Sequence, residues 1–113
     1  MASSTAKYIH EGDTIDYTPV ADTPAGTIVP QADLIGVTLV PIKANQLGSI
    51  AVEGVFDFAK AGGAGSAIPA GTLTYWDAVN SNATKTATGN KLLGKATKTT
   101  VDADTIVRVR LQQ

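Results

Sequence analysis

The stretch Thr105-Ile106-Val107-Arg108-Val109-Arg110-Leu111 alternates without a break, with Val107, Val109 and Leu111 on one side of an extended chain and Ile106, Arg108 and Arg110 on the other. A period of two is what a strand buried on one face requires, and it is incompatible with the 3.6-residue repeat of a helix. Ser49 to Phe58 repeats the pattern, with Ile50, Val52, Phe56 and Phe58 opposing Ala51, Glu53, Val55 and Asp57. Two such segments commit the chain to sheets with one apolar face each.

The rest of the sequence consists of short apolar segments cut by turn residues. The expected strands are Thr14 to Thr18, Gly26 to Val29, Leu34 to Ile42, Ser49 to Phe58, Thr72 to Asp77, Ala83 to Thr88, Lys91 to Thr99 and Thr105 to Leu111. Between them lie Thr18-Pro19, Thr23-Pro24-Ala25-Gly26, Pro30, Asn45-Gln46-Leu47-Gly48, Ala61-Gly62-Gly63-Ala64-Gly65-Ser66, Asn80-Ser81-Asn82, Gly89-Asn90 and Asp102-Ala103-Asp104. Every apolar stretch long enough for an amphipathic helix is interrupted by Gly or Pro and is rich in β-branched residues. The fold class is therefore all-β, a small single-domain β-sandwich or barrel of about eight short strands. Pro24-Ala25-Gly26-Thr27 and Pro69-Ala70-Gly71-Thr72 echo each other, which is the expected chemistry of a turn in which Pro sets φ and Gly accepts a positive one.

At 113 residues the chain has room for one core, and with 43% hydrophobic but only 5% aromatic residues that core must come mainly from Val, Ile, Leu and Ala. The formal net charge is −1 and the Lys and Arg residues are scattered, so the basic stripe that grips a phosphate backbone is missing and no nucleic-acid partner is expected. No apolar run approaches the roughly 20 residues needed to cross a bilayer. Met1 to Lys7 lacks an apolar signal core, so a soluble chain without a secretory signal or membrane partner is expected. Without cysteine there are no disulfides and no thiolate metal sites, and stability must come from packing or assembly. Residues 1–10, small and polar at their start, are expected to form an extended N-terminal arm that order requires some surface to hold, and residues 11–113 the β domain.

Candidates for chemistry are few. His10, Glu11, Asp13 and Asp16 bring the lone histidine near carboxylates, the elements of a metal site or a general base, but one imidazole without a second ligand cluster reads more simply as a turn entering a strand. Gly62-Gly63-Ala64-Gly65-Ser66 lacks the lysine of a phosphate loop and reads as a flexible loop, and Lys91 after Gly89-Asn90 leads into a strand instead of a helix. No glycine-flanked serine elbow is present. The expectation is no enzyme, no catalytic residue, no metal, no cofactor and no small-molecule substrate. The residues expected to meet a partner are Ser3, Ser4, Thr5, Lys7 and Tyr8 of the arm, Trp76, and Arg108 and Arg110, which share one strand face. In Tyr75-Trp76 adjacent rings point to opposite sides of the strand, so one fills the core and the other reaches an edge or interface.

Taken in order, His10-Glu11-Gly12-Asp13-Thr14-Ile15-Asp16-Tyr17-Thr18, Leu34-Ile35-Gly36-Val37, Val52-Glu53-Gly54-Val55-Phe56, Tyr75-Trp76-Asp77, Thr88-Gly89-Asn90 with Leu93-Gly94, and Val107-Arg108-Val109-Arg110-Leu111 resemble the small capsid cement, or decoration, proteins of tailed bacteriophages. The resemblance spans nearly the whole chain; residues 2 to 5 and the Gly/Ala loop at 61 to 67 depart from it. It implies a virion protein on the outer capsid surface, made in the host bacterial cytoplasm. Its partners would be the major capsid protein and other copies of itself, as a homotrimer with a dimer as the alternative. It carries over no catalytic residues. A tail or baseplate β module is the first alternative from another class, and a small metal-dependent hydrolase using His10, Glu11 and Asp13 a distant one.

Overall fold

The structure, a computed structural model, describes residues 5–113. Among them are nine strands and no helix: β1 (Thr14–Tyr17), β2 (Ile28–Gln31), β3 (Leu34–Val37), β4 (Gly48–Ala51), β5 (Gly54–Ala59), β6 (Leu73–Asp77), β7 (Asn82–Thr84), β8 (Lys91–Ala96) and β9 (Ile106–Leu111). The chain builds its two antiparallel sheets one after the other, first β1-β4-β3-β2 and then β5-β9-β8-β6-β7.

The alternation read from the sequence sets the inner face. Val107, Val109 and Leu111 are wholly buried, and with Phe58, Trp76 and Leu93 of the same sheet they pack against Ile35 and Val37 of β3. Each such aliphatic side chain contributes on the order of 1.5–3 kcal/mol by leaving water. A second, smaller cluster of Val29, Ile50 and Val52, flanked by Ile15, Tyr17 and Leu34, fills the other side of the four-stranded sheet. There Ile50 lies over Gly36, where a Cβ would be driven into the Ile50 side chain.

The segment Ser49 to Phe58, expected as one strand, is two. β4 ends at Ala51, β5 begins at Gly54, and the chain changes sheet between them. Gly54 has a φ of 128°, a conformation in which a side chain would be strained, so the crossing needs glycine. Burial does not alternate across the crossing, where Ile50, Ala51 and Val52 are all buried and Glu53, Gly54 and Val55 exposed, but the residue types on either side keep one period, which makes the segment read as unbroken.

Other strand boundaries also differ from expectation, among them the end of β8, at Ala96 instead of Thr99. Pro30, expected as a break, lies within β2, which is tolerated because β2 is an edge strand with no ladder partner on its outer side. The β2–β3 hairpin then turns at Ala32-Asp33, with Ala32 at a φ of 54°. β3 stops at Val37 instead of Ile42, because the following residues form a looser ribbon with residues 23–27, tied by Gly26 N to Thr38 O at 2.7 Å and by reciprocal bonds of 2.8 Å between Thr23 and Ile42. β7 ends at Thr84 instead of Thr88, beyond which the chain turns toward Gly89.

Side chains close the gap between the sheets. β3 pairs with β4 only at Val37 and Ala51, so the peptide groups of Ile35 on that side have no strand partner. The Gln113 amide supplies one, donating from Nε2 to Ile35 O at 2.8 Å and accepting from Ile35 N. Lys91 and Asp33 form a further bridge, Nζ to Oδ1 at 2.5 Å, in the open solvent.

The Gly62–Ser66 segment, expected to be flexible, is held at several points. Lys60 is buried and donates through Nζ to Ala61 O at 2.9 Å, Ser66 Oγ at 3.1 Å and Asp102 O at 3.4 Å. Asp102 accepts from Ala67 N at 2.8 Å and Gly65 N at 3.2 Å, and these backbone donors hold its carboxyl below the ordinary 3.8. A carboxylate with a lowered folded value contributes its stability fully above the unfolded value and loses it as the pH falls through the folded one. We therefore expect the Gly65 and Ala67 amides to be protected from hydrogen exchange at neutral pH and to lose that protection below about pH 4. In Asp102→Ala they should be unprotected throughout, and acid-independent protection in the parent would contradict the contact.

Candidate interaction surface

The alternation of β5, β8 and β9 gives the five-stranded sheet a structured face away from the core. The outer side of the five-stranded sheet carries Val55 and Asp57 from β5, Ile106, Arg108 and Arg110 from β9, Lys95 from β8 and Leu73 from β6. Asp57 lies directly across from Arg108, which donates Nε to Oδ1 at 2.8 Å and Nη2 to Oδ2 at 3.1 Å. That forked contact pulls the Asp57 carboxyl below its usual range and raises the Arg108 guanidinium further, but both groups are exposed and the pair contributes little to stability. Arg108 is thus satisfied within the chain. Arg110 projects from the same face and borders a shallow hollow with Asp13, Glu53 and Gly54.

The arm residues Thr5, Lys7 and Tyr8 are exposed and lie outside any strand, Tyr8 donating to Glu11 Oε1 at 3.2 Å. Ser3 and Ser4 lie outside the described residues. Beyond the arm, at the start of the β domain, Val52 N donates to Asp13 O at 2.9 Å, and Asp13 borders the hollow beside Arg110. Trp76 is elsewhere: it is 8% exposed and packs against Phe58 with ring centroids 6.1 Å apart at 52°. Of the Tyr75-Trp76 pair, tryptophan is the core ring and the half-buried Tyr75 the outward one. Trp76 also lines an apolar cleft of about 430 Å³ between the sheets, together with Ile28, Val37, Phe56 and Phe58, and among the described residues its one ionisable lining residue is the Asp57 already held by Arg108.

His10, Glu11 and Asp13 are all exposed, and the His10 ring contacts the Glu11 carbonyl. Among the described residues no three His, Cys, Asp or Glu side chains converge as metal ligands would. Two features escape sequence reasoning. Lys95, which faces Arg110, is invisible as a partner because the register of β8 on β9 is not written in local pattern. The loop pair at residues 18–24 and 38–47 exposes Val20, Leu39, Val40 and Leu47, and its lack of alternation gave no sign that it would be cross-tied.

An all-β domain with an aliphatic core, an exposed arm and a broad mixed sheet face has the makings of a binding or structural module. The chain belongs to the phage cement protein family, whose model matches residues 9–111. Membership makes it a structural protein of the phage virion, associated with the capsid. No curated protein and no solved structure gives a significant match.

Proposed function

We propose that the chain binds the outer surface of the assembled capsid and stabilises it by bridging neighbouring subunits of the major capsid protein. Family membership over residues 9–111 is the observation that carries this reading. The physical mechanism needs no chemistry: a ligand that binds the assembled shell better than its separated subunits stabilises the shell by mass action. Contact with more than one subunit at a time adds multivalency. The protein is made in the host bacterial cytoplasm and takes its place on the shell after assembly. A homotrimer presents one capsid-facing patch from each copy around an axis, and a dimer is the alternative. Cosedimentation with expanded, undecorated capsids tests the reading, with saturable binding expected. Absence of the protein from the capsid pellet at micromolar concentrations would overturn it, and light scattering gives the number of copies in the free state.

Within this reading residues 1–10 act as an arm that reaches a capsid subunit, supported by the exposure of Thr5, Lys7 and Tyr8. Deleting residues 2 to 7 is expected to weaken capsid binding while leaving the melting temperature of the free protein within about 2 °C of the parent, since an exposed segment adds little to the core. Capsid affinity equal to the parent's would show the arm to be dispensable.

A further inference from the structure

The register of the five-stranded sheet lines up Leu73, Lys95, Arg110 and Val55 in one row across β6, β8, β9 and β5. Lys95 and Arg110 are consequently direct cross-strand neighbours. Like charges in that position repel and destabilise the sheet, whereas opposite charges there help it. The adjoining row shows the favourable case, with Asp57 opposite Arg108 and bonded to it through both oxygens. Among the described residues no carboxylate lies within 4 Å of Lys95 or Arg110; Asp13 and Glu53 border the Arg110 hollow without forming such a pair. A single change at either position would convert the repulsion into a pair, so the arrangement is unfavourable for the isolated domain and makes sense if something outside it supplies negative charge.

The surroundings indicate what that is. The two cations are bracketed by Leu73 and Val55, aliphatic side chains that are 45% and 56% exposed. A phosphate backbone would use the cations and find nothing to do with Leu73 and Val55, and a chain of net charge −1 gives such a polymer no general attraction. A folded protein surface with a carboxylate set among apolar groups matches both, and the charge complementarity would guide encounter and fix register.

We propose that this row is the docking surface for an acidic patch of the major capsid protein, with a capsid carboxylate entering between Lys95 and Arg110 and apolar capsid side chains covering Leu73 and Val55. The inference rests on the capsid-binding reading above and adds which face is used and the chemistry of what it meets. Arg108, already occupied by Asp57, frames the site without taking part.

The test is Lys95→Glu, compared with the parent for thermal stability and for binding to undecorated capsids at low and high salt. The substitution puts a carboxylate opposite Arg110, so the free variant is expected to melt at or above the parent temperature. Its capsid affinity should fall about tenfold or more at low salt, and the difference should narrow as salt rises. Lys95→Gln, which removes the charge without reversing it, should show a smaller loss. If the parent binds capsids and Lys95→Glu binds them equally well at every salt concentration, the docking surface is overturned while the capsid-binding reading stands. If the parent itself fails to bind, the reading has failed and the docking surface falls with it. Retention of the parent on duplex DNA that is abolished by Lys95→Glu, without a change in capsid affinity, would also overturn it by assigning the row to phosphates.

Discussion

Gly94→Ala is expected to yield no cooperatively folded protein. Gly94 has a φ of 154°, and a Cβ there would land on the Arg110 carbonyl oxygen, with Arg110 C and Gln112 N each at 3.0 Å. These are backbone atoms of the neighbouring strand, fixed by the pairing of Gly94 with Leu111, and they have no rotamer to change. Relief requires β8 and β9 to separate beneath the wholly buried Leu93 and Leu111. A cost on the order of 4 kcal/mol or more belongs to the exceptional class of point substitutions and is comparable with the whole stability of a marginal domain. Circular dichroism against temperature measures it, and a cooperative melt within a few degrees of the parent would contradict the close approach. Gly36→Ala is the milder comparison: the three atoms nearest its new Cβ all belong to the buried Ile50 side chain, which must shift at a cost of about 1–3 kcal/mol.

Trp76→Ala is expected to destabilise the protein by about 3–5 kcal/mol, the usual cost of emptying a large buried aromatic site. The ring faces Phe58 on one side and the inter-sheet cleft on another, so its loss enlarges a space that neighbours cannot close. A drop in melting temperature of about 10 °C or more is the corresponding signal. Trp76→Phe should recover most of the stability and leave capsid affinity unchanged, because the buried ring has little surface to offer a partner. Normal stability with lost capsid binding in Trp76→Phe would instead make the ring a contact residue, as its chemistry alone suggests.

Sequence pattern reaches as far as the local forces that write it. Val107, Val109 and Leu111 are buried and Arg108 and Arg110 exposed because parity along a strand is a local property. The same parity of residue types runs unbroken through Val52, Glu53 and Gly54, where the chain passes from one sheet to the other, so the crossing left no mark beyond a glycine. Parity puts Tyr75 and Trp76 on opposite sides without saying which side is inside; that depends on where Phe58 arrives from another strand. The Gly62–Ser66 loop looked loose because its anchors, Lys60 and Asp102, come from either side of a long stretch of chain. Arg108 and Arg110 looked equivalent, and only the register separates the one facing Asp57 from the one facing Lys95.

The place of β9 has a kinetic consequence. The strand that comes last in chain order lies within its sheet, between β5 and β8, and it is the strand partner on which the β5 ladder is built. Contacts such as Asp57 with Arg108 span 51 positions in the chain, so the sheet cannot zip up progressively as its strands are synthesised. Topologies dominated by such distant pairings fold in about milliseconds to seconds instead of microseconds. During that interval Gly54–Ala59 presents an unsatisfied edge, with Phe56 and Phe58 uncovered, to any other unfinished chain nearby. In a cell producing many copies at once, the yield of usable protein is then set by a race between insertion of β9, whose rate is independent of concentration, and intermolecular pairing, whose rate climbs with it.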